Sequence, residues 1–177
     1  MDSFSHGDSP TVAAANSSSP VKSTRIRSGV PGDAEAIARL INAAFVVERV
    51  VIDGDRTNPE NVRGLLNAGR FLLAEDATGL VGCVYVELRG EHSYLGLLSV
   101  APQRQGTGLG RQLVGAAEQF SRGAGCRAID LRIVSARAEL LPFYRRLGYA
   151  ENGTAPFPAD VQTKVPSHFI RMTKPLS

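Results

Sequence analysis

Only two cysteines, Cys83 and Cys126, occur among the 177 residues, so no disulfide framework staples this chain. Cys83 lies in an apolar run, where a thiol behaves as a small core residue. The three histidines, His6, His92 and His168, are far apart and have no cysteine partners. That leaves no metal-ligand spacing, and surface or loop positions are the expectation for all three. No apolar stretch reaches the ~20 residues that span a bilayer. The N-terminus lacks a basic flank followed by an apolar segment, so a secretory leader is not indicated and the expected location is cytoplasmic. Net charge is only +3 and no dense Lys/Arg stripe accompanies it, which argues against nucleic acid as a partner. The arginines of the second half leave two readings open, plain solvation and attraction of an anionic small molecule.

What is present is an ordinary globular composition, 43% hydrophobic and 21% charged, of a length that suits one domain. Residues 1–23 are rich in Ser, Ala, Pro and Asn and cannot bury enough apolar surface to offset their ordering entropy. They read as a flexible tail; Asp2, Asp8 and the lack of early arginine count against a transit peptide. A single domain is expected over 24–177. Residues 24–27 are a short strand candidate. Ile37, Leu40, Ile41 and Phe45 recur at helical spacing, with Asp33 as the expected N-cap. Asn58 and Pro59 fit the cap and first position of a second helix, and 46–57 reads as loop or short turn. Strands are expected over 71–75 and 80–88, joined by a hairpin at 76–79. The stretch 92–100 is apolar on both faces and reads as a central strand. A long helix follows, faced by Leu109, Leu113, Ala116, Ala117 and Phe120 and ended by Gly123 and Gly125. Ile129, Leu131 and Ile133 mark another strand, 140–147 a short helix, and 149–150 and 168–172 further strands. Intermixed strands and helices give an α/β or α+β class around one sheet.

The chemistry concentrates in the glycine turn Gln105-Gly106-Thr107-Gly108-Leu109-Gly110, between strand and helix. Missing Cβ atoms let a ligand approach the backbone, and the N–H groups of the helix entrance converge on one spot. That is a cradle for a diphosphate, with Arg104 and Arg111 as flanking cations. A P-loop needs Gly-Lys-Ser/Thr, and Gly110 is followed by Arg111-Gln112. A dinucleotide fingerprint puts its third glycine elsewhere.

The pattern that fits is Gln/Arg-x-x-Gly-x-Gly, read as Gln105, Gly108 and Gly110, and here the chain resembles the GNAT superfamily of N-acetyltransferases. The lead-in Leu98-Ser99-Val100-Ala101-Pro102 and the downstream Phe143-Tyr144-Arg145-Arg146-Leu147-Gly148-Tyr149 match that family in order and spacing. The likeness covers about 24–174 and is strongest over 95–149. It implies a central mixed, mostly antiparallel sheet of six to seven strands, helices on both faces, and a splayed fourth strand. It further implies acetyl-CoA as co-substrate and no metal.

The resemblance also implies roles. Tyr144 would protonate the leaving sulfur, a fitting task for a phenol, with packing of its ring on the sheet as the alternative. Leu98, Ser99 and Val100 would line the pantetheine arm, with the Val100 N–H on the thioester carbonyl. Gln105, Gly106, Thr107, Gly108, Leu109, Gly110 and Arg111 would hold the diphosphate. Where the family often has Asn this chain has Ser135, which still offers a hydroxyl. Pro142 within the last helix requires that helix to start late, near 138 or 139. Glu48, Glu87 and Glu91 are candidate bases and no motif places any of them; surface positions are the expectation. Phe45, Glu48 and Arg49, with Phe157, are candidate acceptor contacts. Asp53, Asp55 and Glu48 could attract an amine cation, or Arg49 and Arg56 a carboxylate. The function implied is transfer of acetyl from acetyl-CoA to a primary amine of a small molecule or peptide, in a monomer or homodimer without nucleic acid or membrane. The alternatives are an acyl-CoA-binding sensor that does not turn over and a nucleotide-binding regulatory domain.

Overall fold

Alternating apolar residues build seven strands: β1 Arg25–Ser28, β2 Arg70–Asp76, β3 Gly79–Arg89, β4 His92–Val100, β5 Ala128–Val134, β6 Ala150–Pro156 and β7 His168–Pro175. A computed structural model describes residues 23–177, so the expected tail lies outside the described residues except for Ser23. The strands form one sheet in the order β1-β2-β3-β4-β5-β7-β6. Every neighbouring pair is antiparallel except β4 with β5, which is parallel. A parallel pair needs a crossover, and helix α3, Leu109–Gly123, supplies it. β4 holds the middle place, as its two-sided apolar character requires.

Helix α1, Ala34–Ala44, buries Ile37, Leu40 and Ile41 and packs on β3 and β4. Asp33 does not cap it. Its carboxylate instead accepts from the Val30 N–H at 2.7 Å and from Arg27, closing a short 3-10 turn ahead of the helix. Helix α2, Pro59–Ala68, is capped as expected, Asn58 accepting from the Asn61 N–H at 2.8 Å with Pro59 in first position. Between them 46–57 is not only loop: Phe45–Val50 winds into a 3-10 helix. Helix α3 buries Leu109, Leu113 and Ala117. A methyl on Gly82 of β3 would sit 2.8 Å from Leu113, which shows how tightly α3 is laid on the sheet. Helix α4, Leu141–Arg146, begins even later than Pro142 demanded, after a 3-10 segment Ser135–Leu140. Cys83 and Cys126 are free and buried, and no helix among the described residues is long and apolar enough to cross a membrane.

Candidate functional site

The parallel pair β4–β5 holds only over His92–Tyr94 against Ala128–Asp130; beyond those residues the strands part. The parting coincides with a bulge in β4. Cys83 faces Ser99 and Tyr85 faces Gly96, so Leu97 and Leu98 together oppose Val84. Leu97 sits at φ 51°, the one non-glycine with positive φ among the described residues. Such strain persists only where the surroundings enforce it, and it marks the wall of a cleft of about 460 Å³.

Past the bulge the backbone presents its polar edge to this cleft. The Ala101 N–H donates to the Val81 carbonyl at 2.9 Å, which turns the neighbouring N–H of Val100 the opposite way, toward β5. The Val100 carbonyl on that edge accepts from Gln105 Nε2 at 3.2 Å. β4 then runs into the glycine turn. Gly106 and Gly108 adopt φ of 74° and 84°, left-handed values that suit glycine. Gly108 is the N-cap of α3, and no side chain caps that helix. Its first N–H groups are therefore open donors at the positive end of the helix dipole, facing the cleft. Gly110 keeps a Cβ out of the same space. An open helix entrance, bare of side chains and joined to an unpaired strand edge, fits a long ligand with an anionic middle and an amide-bearing arm.

Several sequence-based candidates come together here: Leu98, Val100, Gln105, Gly106, Gly108, Leu109, Gly110, Arg111, Tyr144, Phe45 and Glu48 all line the cleft. Others do not reach it. Ser99 is buried, and its hydroxyl donates to the Leu97 carbonyl at 2.9 Å. Thr107 donates to the Arg104 carbonyl at 2.6 Å and so shapes the turn. The Ser135 hydroxyl accepts from the His168 N–H at 3.1 Å. Arg49 is on the surface beside Asp55 at 3.0 Å, and Phe157 stacks on Phe169 with ring centres 4.3 Å apart. Arg104, expected to flank the diphosphate, does line the cleft, but its guanidinium pairs with Asp76 and lies 3.2 Å from Thr24.

The other end of the cleft is built by α4 and the 3-10 segments. Tyr144 is 7% exposed, its ring edge-on to Phe143 and Tyr149. Burial pushes its phenol well above its usual range, so it stays protonated and keeps a proton to donate. Glu48, read as a surface charge, is buried. Its Oε1 lies 3.3 Å from Arg137 Nη1, and burial still pushes its carboxyl up against the pull of Arg56 and Arg137. Glu87 moves the opposite way, held down by Arg89 and the Tyr85 hydroxyl, and Glu91 is exposed beside Arg127. Arg137 was not among the candidates. It bridges Glu48 and Glu139, a contact across 89 positions that leaves no local signal. Tyr94, Arg132 and Phe169 also escaped notice; they complete the floor of this end. Among the described residues no group of acidic, His or Cys side chains could hold a metal.

Residues 67–151 match the acetyltransferase (GNAT) domain family. The chain is 34% identical over 139 residues to an aminoglycoside N(6')-acetyltransferase type 1 of Stenotrophomonas maltophilia, spanning 71% of this chain and 86% of that protein. In fold it is similar to nourseothricin acetyltransferase, with a TM-score of 0.70 and 24% identity over 87% of this chain and 99% of that one. A spermidine N-acetyltransferase from Vibrio cholerae, solved with CoA and spermine, superposes with a TM-score of 0.68 and 20% identity over 86% and 95% of the two chains.

Proposed function

The chain belongs to the GNAT family of acetyl-CoA-dependent acetyltransferases, and on that premise we propose that it acetylates a primary amine of a small molecule or peptide by direct attack within the β4–β5 cleft. The observation that carries this reading is the coincidence of two features on one strand. β4 parts from β5 after Tyr94, and it leads straight into an uncapped helix entered through glycines. Neither feature serves the sheet; together they accommodate acetyl-CoA.

Acetyl-CoA supplies the thioester that the amine attacks. The open N–H groups from Gly108 onward take the diphosphate, with Arg111 on the exposed first turn adding charge. The β4 edge at Leu98 and Val100 takes the pantetheine amides as a further strand would be taken. The Val100 N–H, turned away from β3, donates to the oxygen on which charge develops. Tyr144, kept neutral by burial, donates its proton to the departing sulfur. Glu48 is the one carboxylate lining the cleft among the described residues, and its raised pKa suits it to take a proton from the attacking amine. Residues 24–177 act as one acyltransferase domain, supported by the single sheet that unites the strands. A cytoplasmic location goes with two cysteines that are both unpaired.

Thiol release from acetyl-CoA against a panel of amino acids, peptides, polyamines and aminoglycosides tests the proposal. Tyr144→Phe should lower kcat by about 100-fold with little change in acetyl-CoA affinity. Equal turnover by the variant would remove Tyr144 from the mechanism. Tight acetyl-CoA binding with no thiol release from any amine would favour the sensor reading.

A further inference from the structure

Three guanidinium groups of the cleft, those of Arg56, Arg111 and Arg132, have no carboxylate within ion-pair distance among the described residues, and two of them lie over aromatic rings. Arg132 of β5 lies over the rings of Phe169 and Tyr94, 4.7 Å and 5.4 Å from their centres. Arg56, between the 3-10 helix and α2, lies 5.6 Å from the centre of the Phe45 ring. A stacked guanidinium uses its face on the aromatic ring and keeps its N–H edge free, and that edge is the part that matches a carboxylate. Arg137 at this end is occupied by Glu48 and Glu139, and Arg104, beside the glycine turn, by Asp76. Arg111 belongs to the glycine turn at the opposite end.

Acidic groups are few here. Among the described residues Glu48 is the only carboxylate lining the cleft, and it already faces Arg137 and feels Arg56. Asp53 and Asp55, which could have drawn in a cation, are on the surface with Lys164 and Arg49 as partners. A polyamine or aminoglycoside would carry several positive charges into a pocket that repels them. An acceptor with one amine and one anion would not.

We infer that the acceptor is an amino-acid-like compound, a primary amine that also carries a carboxylate, and that Arg132 with Arg56 binds the carboxylate. This rests on the acetyltransferase reading above. Arg132 stacks on the Tyr94 ring, and Tyr94 and Tyr144 line the same cleft, so a carboxylate held at Arg132 shares one chamber with the proton donor. The aromatic rings of Phe45, Tyr94 and Phe169 give an apolar side chain a surface to pack on.

The test compares amino acids with their own carboxamides, alongside spermidine and an aminoglycoside, as acceptors for the full chain with acetyl-CoA. Thiol release gives kcat and KM, and calorimetry gives acetyl-CoA affinity. The native chain should prefer each acid over its amide by about tenfold to 100-fold in kcat/KM, the weight of one charge-assisted contact. Arg132→Met should raise KM for the acid far more than for the amide, so the preference falls toward one. Arg132→Lys should keep part of it, and acetyl-CoA affinity should hold in both. Polycations acetylated well, with acids no better than amides, would overturn the inference and leave the acetyltransferase reading standing. Acetyl-CoA binding without acetylation of any amine would remove that reading, and the inference with it.

Discussion

Replacing Gly110 by alanine separates what the glycine turn does for folding from what it does for a ligand. Gly110 is the second residue of α3 and lines the cleft. A Cβ there meets only the Phe143 ring at 3.7 Å and Val100 Cγ2 at 3.9 Å, ordinary contacts that push nothing aside. A helical Gly→Ala change gains up to about 1 kcal/mol, so the free protein should melt no lower, and up to about 4 °C higher. On the proposed reading, the same methyl would crowd the diphosphate as it approaches the N–H groups of the helix entrance. Losing one charge-assisted contact costs about 1.5–3 kcal/mol, or roughly tenfold to 100-fold in Kd. Gly108→Ala makes the contrast: at φ 84° an L-residue is strained by about 1–2 kcal/mol, so that variant should lose stability as well. The assays are thermal melts without ligand and calorimetric titration with acetyl-CoA. A Gly110→Ala protein that melts normally and binds acetyl-CoA as tightly as the native chain would refute the reasoning.

Glu48→Gln should lower kcat and abolish an acidic limb of the kcat/KM profile that lies above the ordinary carboxylate range, since burial holds the proton on and ionisation comes only at higher pH; a native profile flat across that range would discard Glu48 as the base. Arg27 pairs with Asp33 at 2.8 Å and Glu75 at 2.7 Å and holds both carboxyls below their usual values. That contribution is complete above about pH 5 and is lost as the pH falls through the depressed values. Arg27→Met should therefore cost about 1 kcal/mol at pH 7, allowing for partial exposure, and urea melts should show a shallower loss of stability in acid.

Local chemistry made much of this protein legible. The strand β4, the glycine turn, α3 and the Phe143-Tyr144 segment carry periodicity and turn signals within a few residues of one another. Where the reading failed, tertiary context had reversed the local rule. The stretch 46–57 looked like loop or short turn with a solvated Glu48, yet through Val50 it continues a 3-10 helix that buries that carboxylate while Val46, Val47 and Val50 face solvent. Arg104 adjoins the glycines in sequence but is claimed by Asp76 at the end of β2. Arg137 and Arg132 reach the cleft through pairings made over long separations, and nothing near either residue announces it. The insertion of β7 between β5 and β6 is likewise a matter of topology, and β6, exposed along nearly all its length, has little hydrophobic pattern to read.

Amide NMR of the 15N-labelled chain, titrated with acetyl-CoA, examines the central claim at the atoms that make it. The account predicts the largest proton shifts at Gly108, Leu109, Gly110 and Arg111, from charge-assisted bonds to the diphosphate, and a second group at Leu98 and Val100 along the opened edge of β4. Saturable binding with those amides unmoved and shifts gathered elsewhere would contradict it.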